Sequence, residues 1–142
     1  MIVLDPSVLI AHLWPPDRHH VEASGFLLRV AGDRMLTHPL TMAEVLIGGV
    51  RIGRGAEMRQ DLRDIGVELA YCDADEPLPL RLAEIRCSTR LKLPDCCVLD
   101  LALVNLAKAP ATETVTLATF GRALADAATD HGVLVAPDSP GT

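Results

Sequence analysis

The sequence lacks the features of a membrane protein or an exported one. No stretch reaches the ~18 uninterrupted apolar residues that a membrane-spanning helix needs, although 49% of the 142 residues are apolar. The opening residues, MIVLDPSVLI, do not combine a basic segment, an apolar run and a small-residue cleavage site, so no signal peptide is predicted. We therefore expect a cytoplasmic protein without membrane contact, built from one domain over residues 1–136 and a tail over 137–142.

The cysteines and histidines lack the spacing of a zinc site. Cys72, Cys87, Cys96 and Cys97 include no C-x-x-C pair, and the five histidines include no H-x-x-x-H pair accompanied by an acid. The pattern therefore favours buried thiols in a reducing compartment over zinc ligands or disulfides.

Positive charge is scarce, and the sequence motifs of two other α/β protein classes are missing. The 13 Lys and Arg residues are outnumbered by 19 Asp and Glu, which argues mildly against broad nucleic-acid binding. Two groups of cations, within residues 51–63 and 81–92, are either solvated helix surface or a local basic face. No G-x-G-x-x-G follows a strand, and the first predicted strand leads into DPS rather than D-x-D. These absences argue against a dinucleotide-binding domain and a dehalogenase-type phosphotransferase.

Short apolar strands alternate with helical patterns along the whole chain. The predicted strands lie at residues 2–4, 35–37, 67–71, 115–118 and 133–135. Helices are predicted at 6–14, after Asp17, from Thr41, at 56–65, at 79–91, from Pro94 and at 122–128. This alternation predicts a three-layer α/β/α domain with a mostly parallel central sheet.

Three acids fall at predicted helix starts. Asp5 follows the first strand, Glu44 lies in a possible capping box with Thr41, and Asp95 follows Pro94. Each acid can be explained as a helix cap alone. In a parallel sheet, however, sites form beyond the carboxyl ends of the strands, where such acids can converge. Converging carboxylates repel one another, and a hard cation such as Mg²⁺ or Mn²⁺ relieves that repulsion.

Four motifs in order resemble those of the PIN domain, over nearly the whole chain. They are MIVLDPSVLI with Asp5 and Ser7, LTMAEVLIG with Thr41 and Glu44, LKLPDCCVLDLAL with Asp95, and TLATFGRAL after the penultimate strand. More narrowly, the chain resembles the VapC-type ribonuclease toxins of bacterial type II toxin–antitoxin modules.

The resemblance implies an Mg²⁺- or Mn²⁺-dependent endoribonuclease that cleaves RNA by metal-assisted phosphodiester hydrolysis. It implies that Asp5, Glu44 and Asp95 are the catalytic, metal-binding acids and that Ser7 and Thr41 support them. It also implies a homodimer, inhibited by a cognate VapB-like antitoxin whose C-terminal segment enters the active-site groove.

One position departs from the family pattern. The family usually carries an acid directly after ATF, where this chain has Gly121. Asp100 is one substitute, but it lies about 140° around the helix from Asp95, which favours a buried polar contact or a dimer interface. Asp126 has the same angular problem, and Thr119 is a candidate for a water-mediated contact. The missing acid leaves open an alternative, a catalytically impaired PIN-fold module that binds RNA or protein.

Overall fold

Five short parallel strands form one sheet at the centre of the computed structural model, which describes residues 1–71 and 77–138. The strands are β1 (Ile2–Leu4), β2 (Met35–Thr37), β3 (Val67–Leu69), β4 (Thr116–Ala118) and β5 (Leu134–Ala136), and their order across the sheet is β3-β2-β1-β4-β5. The helices are α1 (Pro6–Leu13), α2 (His20–Arg29), α3 (Pro39–Arg51), α4 (Gly55–Asp64), α5 (Pro77–Thr89), α6 (Leu93–Lys108) and α7 (Arg122–Asp130). The predicted α/β fold with a parallel sheet is confirmed.

Alternating side chains of the strands divide the core between the two faces of the sheet. Val3 belongs to a buried cluster with residues of α5, α6 and α7. Its neighbours Ile2 and Leu4 belong to a second cluster with residues of α1, α2, α3 and α4. Successive residues of a strand point to opposite faces, so a central strand that is apolar throughout, such as β1, requires helices on both sides. This is the expected three-layer arrangement.

The strand order has a switch point beside β1. The chain runs from β1 outward to β2 and β3, and later returns to place β4 on the opposite side of β1. In parallel sheets the crevice at such a point, beyond the carboxyl ends of the strands, is the usual location of a ligand site. Asp5 and Thr119 directly follow the two strands that flank it.

The predicted capping box at Thr41 is wrong. Helix α3 begins two residues earlier, at Pro39, and the Nδ1 atom of His38 caps it by accepting from Leu40 N at 3.0 Å. Proline suits the first helical position because it has no N–H to leave unpaired and its φ angle is already helical. Glu44 therefore lies in the second turn, where its side chain has no capping role.

Two other predicted caps are corrected in part. Helix α6 is capped from Lys92, so Asp95 lies inside the first turn rather than at the cap. Helix α2 begins at His20, and Asp17 accepts from His19 N at 2.8 Å instead of capping the helix directly. Asp5, by contrast, does cap α1, since its side chain accepts from Ser7 N.

The thiols differ in exposure. Cys96 and Cys97 are buried as expected, whereas Cys87 is exposed because it lies on the outer face of α5. Cys72 and residues 139–142 of the predicted tail lie outside the described residues. Across the described part of the chain, no helix has the length and apolarity needed to cross a bilayer.

Candidate active site

Asp5 is the most firmly held carboxylate at the carboxyl edge of the sheet. Its side chain is 6% exposed, and the Oδ2 atom accepts three hydrogen bonds. The donors are Ser7 N at 3.2 Å, Ser7 Oγ at 2.6 Å and Thr119 Oγ1 at 2.9 Å. Hydrogen bonds to a carboxylate are short and strong, so they fix the rotamer of Asp5. Within residues 1–71 and 77–138, the Oδ1 atom receives no hydrogen bond, which leaves it available to a ligand.

Both hydroxyls that hold Asp5 have a fixed polarity. Phe120 N donates to Ser7 Oγ at 3.0 Å, and Gly121 N donates to Thr119 Oγ1 at 2.9 Å. Each hydroxyl oxygen thus accepts from the backbone and gives its one hydrogen to Asp5. These bonds also tie the loop after β4 to the start of α1. Thr119, an uncertain candidate from the sequence, lies in direct contact with Asp5.

Glu44 and Asp95 lie in the electrostatic field of Asp5. Burial raises the pKa of Glu44, and the charges of Asp5 and Asp95 raise it further. Burial also raises the pKa of Asp95, as does Asp5, while the nearby Lys92 acts in the opposite direction. The fold therefore brings the three acids from α1, α3 and α6 close enough to repel one another, a cost that a bound cation would offset.

The three acids nevertheless do not form a ready cage. Among the residues that the structure describes, no three His, Cys, Asp or Glu side chains are grouped so that they could hold a metal ion. The donor chemistry, which is all carboxylate oxygen, fits a hard divalent cation. The side-chain positions do not complete a ligand shell. Thr41 is buried one turn before Glu44, and its hydroxyl makes no hydrogen bond to Asp5, Glu44 or Asp95.

Asp100 is directed away from this group. Its two carboxylate oxygens accept from Arg81 of α5, at 2.9 Å from Nε and 3.3 Å from Nη2. The side chain of Asp100 is 10% exposed and that of Arg81 is 40% exposed. The pairing accounts for a charge inside an apolar helix, because a buried carboxylate needs a partner.

The backbone does not require glycine at position 121. Gly121 has a φ of −77° and a ψ of 117°, an extended conformation open to any residue, and it caps α7 without a side-chain hydrogen bond. A Cβ atom there would lie 3.3 Å from Thr119 Oγ1, a tight contact that requires Thr119 to move by a few tenths of an ångström. The backbone conformation at position 121 therefore does not explain why the chain has glycine there in place of the family's usual acid.

Three exposed cations lie where the chain passes from α5 to α6, and one of them, Lys92, acts on Asp95. Arg86 and Arg90 are one helical turn apart at the end of α5, and Lys92 caps α6 one turn before Asp95. None of the three forms an ion pair with another described residue. Arg90 has a φ of 63°, a conformation that usually favours glycine. We call Arg86, Arg90 and Lys92 the basic corner. Of the two interpretations of the cations in residues 81–92, it favours a local basic face over solvated helix surface.

Sequence reasoning missed an aromatic pair beside Asp5. The rings of His19 and Phe120 are stacked, with centroids 4.2 Å apart and an interplanar angle of 8°. Phe120 lies inside the motif TLATFGRAL, but His19 comes from the loop before α2. Nothing in their spacing indicates that they meet.

The chain belongs to the PIN domain family, whose profile matches residues 2–129. Two solved structures share its fold. One is a toxin–antitoxin complex from Klebsiella pneumoniae, with 20% identity, a TM-score of 0.62 and coverage of 85% of this chain and 87% of that chain. The other is PAE2754 from Pyrobaculum aerophilum, with 17% identity, a TM-score of 0.58 and coverage of 94% and 89%. No curated protein matches the sequence.

Proposed function

We propose that this protein is a divalent-metal-dependent endoribonuclease and the toxin of a toxin–antitoxin pair, related to the VapC type. The observation that carries the proposal is the convergence of Asp5, Glu44 and Asp95 at the carboxyl edge of the sheet in a PIN domain. PIN domains are generally nucleases, and a chain of similar fold belongs to a toxin–antitoxin complex. The reaction takes place in the cytoplasm, where the RNA substrate is found.

The chain's own residues divide the work. Ser7 and Thr119 hold Oδ2 of Asp5, which fixes the side chain and would leave Oδ1 free to hold a cation. Glu44 and Asp95 add negative charge near Asp5, and a bound cation would relieve the repulsion that raises the pKa of both. A bound Mg²⁺ or Mn²⁺ would supply charge stabilisation at the phosphate and a more acidic water.

The basic corner of Arg86, Arg90 and Lys92 holds the RNA backbone. Lys92 lies near Asp95, and the three cations lack ion pairs within the described part of the chain, so they are available to phosphates. Phosphate contacts supply most of the sequence-independent affinity for nucleic acid. A net charge of −6 therefore does not prevent RNA binding, because the positive charge is concentrated next to the site.

The proposed antitoxin partner fits an apolar groove between α1 and α3. A cavity of about 410 Å³ is lined there by Ile10, Leu13, Trp14, Val45, Gly48, Gly49, Arg51, Ile52 and Met58. Trp14 is 54% exposed and Ile52 is 57% exposed, which is costly unless a partner covers them. We propose that an antitoxin segment does so, and that the toxin itself is a homodimer. Light scattering of the purified chain measures its molar mass and so tests whether it is a homodimer.

The test is cleavage of an RNA panel by the purified chain with Mg²⁺ or Mn²⁺. We expect Asp5→Ala and Asp95→Ala to abolish cleavage. Asp130→Asn, an exposed acid at the far end of α7, is the matched control and should cleave as the parent does. Activity that persists in both Ala variants would reject the assignment.

Gly121 favours one alternative, a PIN-fold module that binds RNA or protein without cleaving it. The absent fourth acid and the incomplete ligand shell both point in this direction. The same RNA panel separates the two functions. A binding module binds RNA but forms no cleavage product with Mg²⁺ or with Mn²⁺, whereas the proposed enzyme cleaves the RNA.

A further inference from the structure

A cavity of about 570 Å³ adjoins the Asp5 network through Thr119. Thr119 both lines this cavity and donates to Asp5 Oδ2. The lining also contains the stacked rings of His19 and Phe120 and the carboxylates of Glu22 and Asp126. A volume of this size is typical of a small-molecule or base-binding site.

The aromatic pair in this cavity is unusual for a chain so poor in aromatic residues. The sequence contains two Phe, one Tyr and one Trp. Phe26 is buried in the core, whereas Phe120 is only half-buried and lies against His19 at the carboxyl edge of the sheet. Phe120 thus packs against the core on one side and lines the cavity with the rest of its surface.

The imidazole of His19 is held from both sides. Its Nε2 accepts from Arg18 Nε at 3.1 Å, which places the ring hydrogen of the neutral tautomer on Nδ1. Nδ1 lies 3.7 Å from Glu22 Oε2. Phe120 covers one face of the ring, yet 31% of the His19 side chain stays exposed. The ring is therefore a preorganised flat surface that can accept a third stacked group.

The stack is joined to the residues that hold Asp5. Phe120 follows Thr119 in sequence, and its backbone N–H donates to Ser7 Oγ at 3.0 Å. A nucleotide with its phosphate at Asp5 can therefore place its own or an adjacent base on the rings. Single-stranded RNA is commonly bound in this way, with unstacked bases on aromatic side chains and their edges hydrogen-bonded to polar groups.

We propose that His19 and Phe120 form a stacking platform for one nucleobase of the RNA substrate, and that Glu22 and Asp126 favour guanine there. Carboxylates only accept hydrogen bonds, and they accept two side by side. Guanine presents N1–H and the N2 amino group next to each other, whereas uracil presents a single N–H. The proposal rests on the proposed function and adds a base preference beside the cleaved bond.

The test measures RNA binding apart from cleavage. Anisotropy would follow labelled oligouridine octamers that carry one central G, A, C or U, with Asp95→Asn as the full-length, non-cleaving parent. We expect the G octamer to bind most tightly. His19→Ala should weaken that binding about 10- to 100-fold, the usual loss for one stacked base, and His19→Phe should restore it. His131→Ala, which lies at the end of α7 outside this cavity, is the control.

Base choice is tested with both rings retained, because the amide oxygen that Glu22→Gln introduces can still accept from His19 Nδ1. Glu22→Gln combined with Asp126→Asn should keep the stacking affinity and lose the preference for G. Equal binding of the four octamers by the parent, or unchanged binding by a folded His19→Ala, would overturn the platform. Thermal unfolding of each variant identifies any that fail to fold, and His19→Phe then carries the comparison. RNA cleavage that survives such a result leaves the proposed function standing, whereas G-selective binding without any cleavage by the wild-type chain rejects the function alone.

Discussion

Replacing Thr119 by valine tests how much the Thr119 hydroxyl, one of the two that donate to Asp5, contributes to stability. Valine keeps the shape of threonine but removes the donor to Asp5 Oδ2, at 2.9 Å, and the acceptor for Gly121 N. A hydrogen bond to a charged group contributes about 1.5–3 kcal/mol, and Thr119 is 4% exposed, so water replaces it poorly. We therefore expect Thr119→Val to lower the free energy of unfolding by about 2–3 kcal/mol.

Urea unfolding at neutral pH without divalent metal measures this loss. Thr116→Val is the matched control, because Thr116 lies on β4, the strand that Thr119 follows, is half-buried and makes no side-chain hydrogen bond within the described residues. We expect the control to change stability by less than about 0.5 kcal/mol. A double-mutant cycle with Asp5→Asn should give a coupling of about 1 kcal/mol or more. A coupling near zero, or equal effects of the two valines, would refute the proposed network.

Three further predictions concern other parts of the chain. Gly121→Asp should stabilise the fold by a few tenths of a kcal/mol through a better cap on α7 and should tighten Mn²⁺ binding, as thermal unfolding with and without Mn²⁺ would measure. Arg81→Met should cost about 1–3 kcal/mol in urea unfolding, because it leaves the Asp100 carboxylate buried and unpaired. Burial and the charge of His20 lower the pKa of His12, so the unfolded chain binds more protons in the window below about 6.5. The free energy of unfolding should therefore rise with pH across that window. Urea unfolding measured from pH 5 to 7.5 should show a smaller rise for His12→Gln.

The sheet was predictable because its strands are short, apolar and bounded by breakers. The bounds of β1 and β2 match the prediction, since Asp5 and Pro39 follow them closely. The end of β3 was placed two residues too late, at Tyr71: the strand ends at Leu69, although Ala70 N still donates to Thr37 O of β2 at 2.8 Å. The sequence pattern does not show where the partner strand β2 ends.

Helix starts were less predictable than helix existence. Pro39 was treated as a break before α3, whereas the helix includes it in its first turn, as α6 includes Pro94. The error changes the chemistry of the site, because Glu44 and Asp95 are not occupied as caps and their carboxylates remain available. Their convergence on Asp5 follows from strand order, which joins residues 90 positions apart.

The aromatic platform could not be predicted from the sequence. His19 and Phe120 are about a hundred residues apart, and their contact depends on how the loop before α2 passes the end of β4. A lone histidine in a polar stretch carries no sign of a stacking partner. The Arg81–Asp100 pair is a similar case, because only the packing of α5 on α6 selects Arg81 among the cations of its segment.

Calorimetric titration of Mn²⁺ into the purified chain tests the central claim most directly, namely that Asp5, Glu44 and Asp95 share one cation site. We predict saturable binding that is lost in Asp5→Asn and Asp95→Asn, weakened in Glu44→Gln and retained in Asp130→Asn. The absence of saturable binding to the parent chain, or equal binding by the Asp5 and Asp95 variants, would contradict the account.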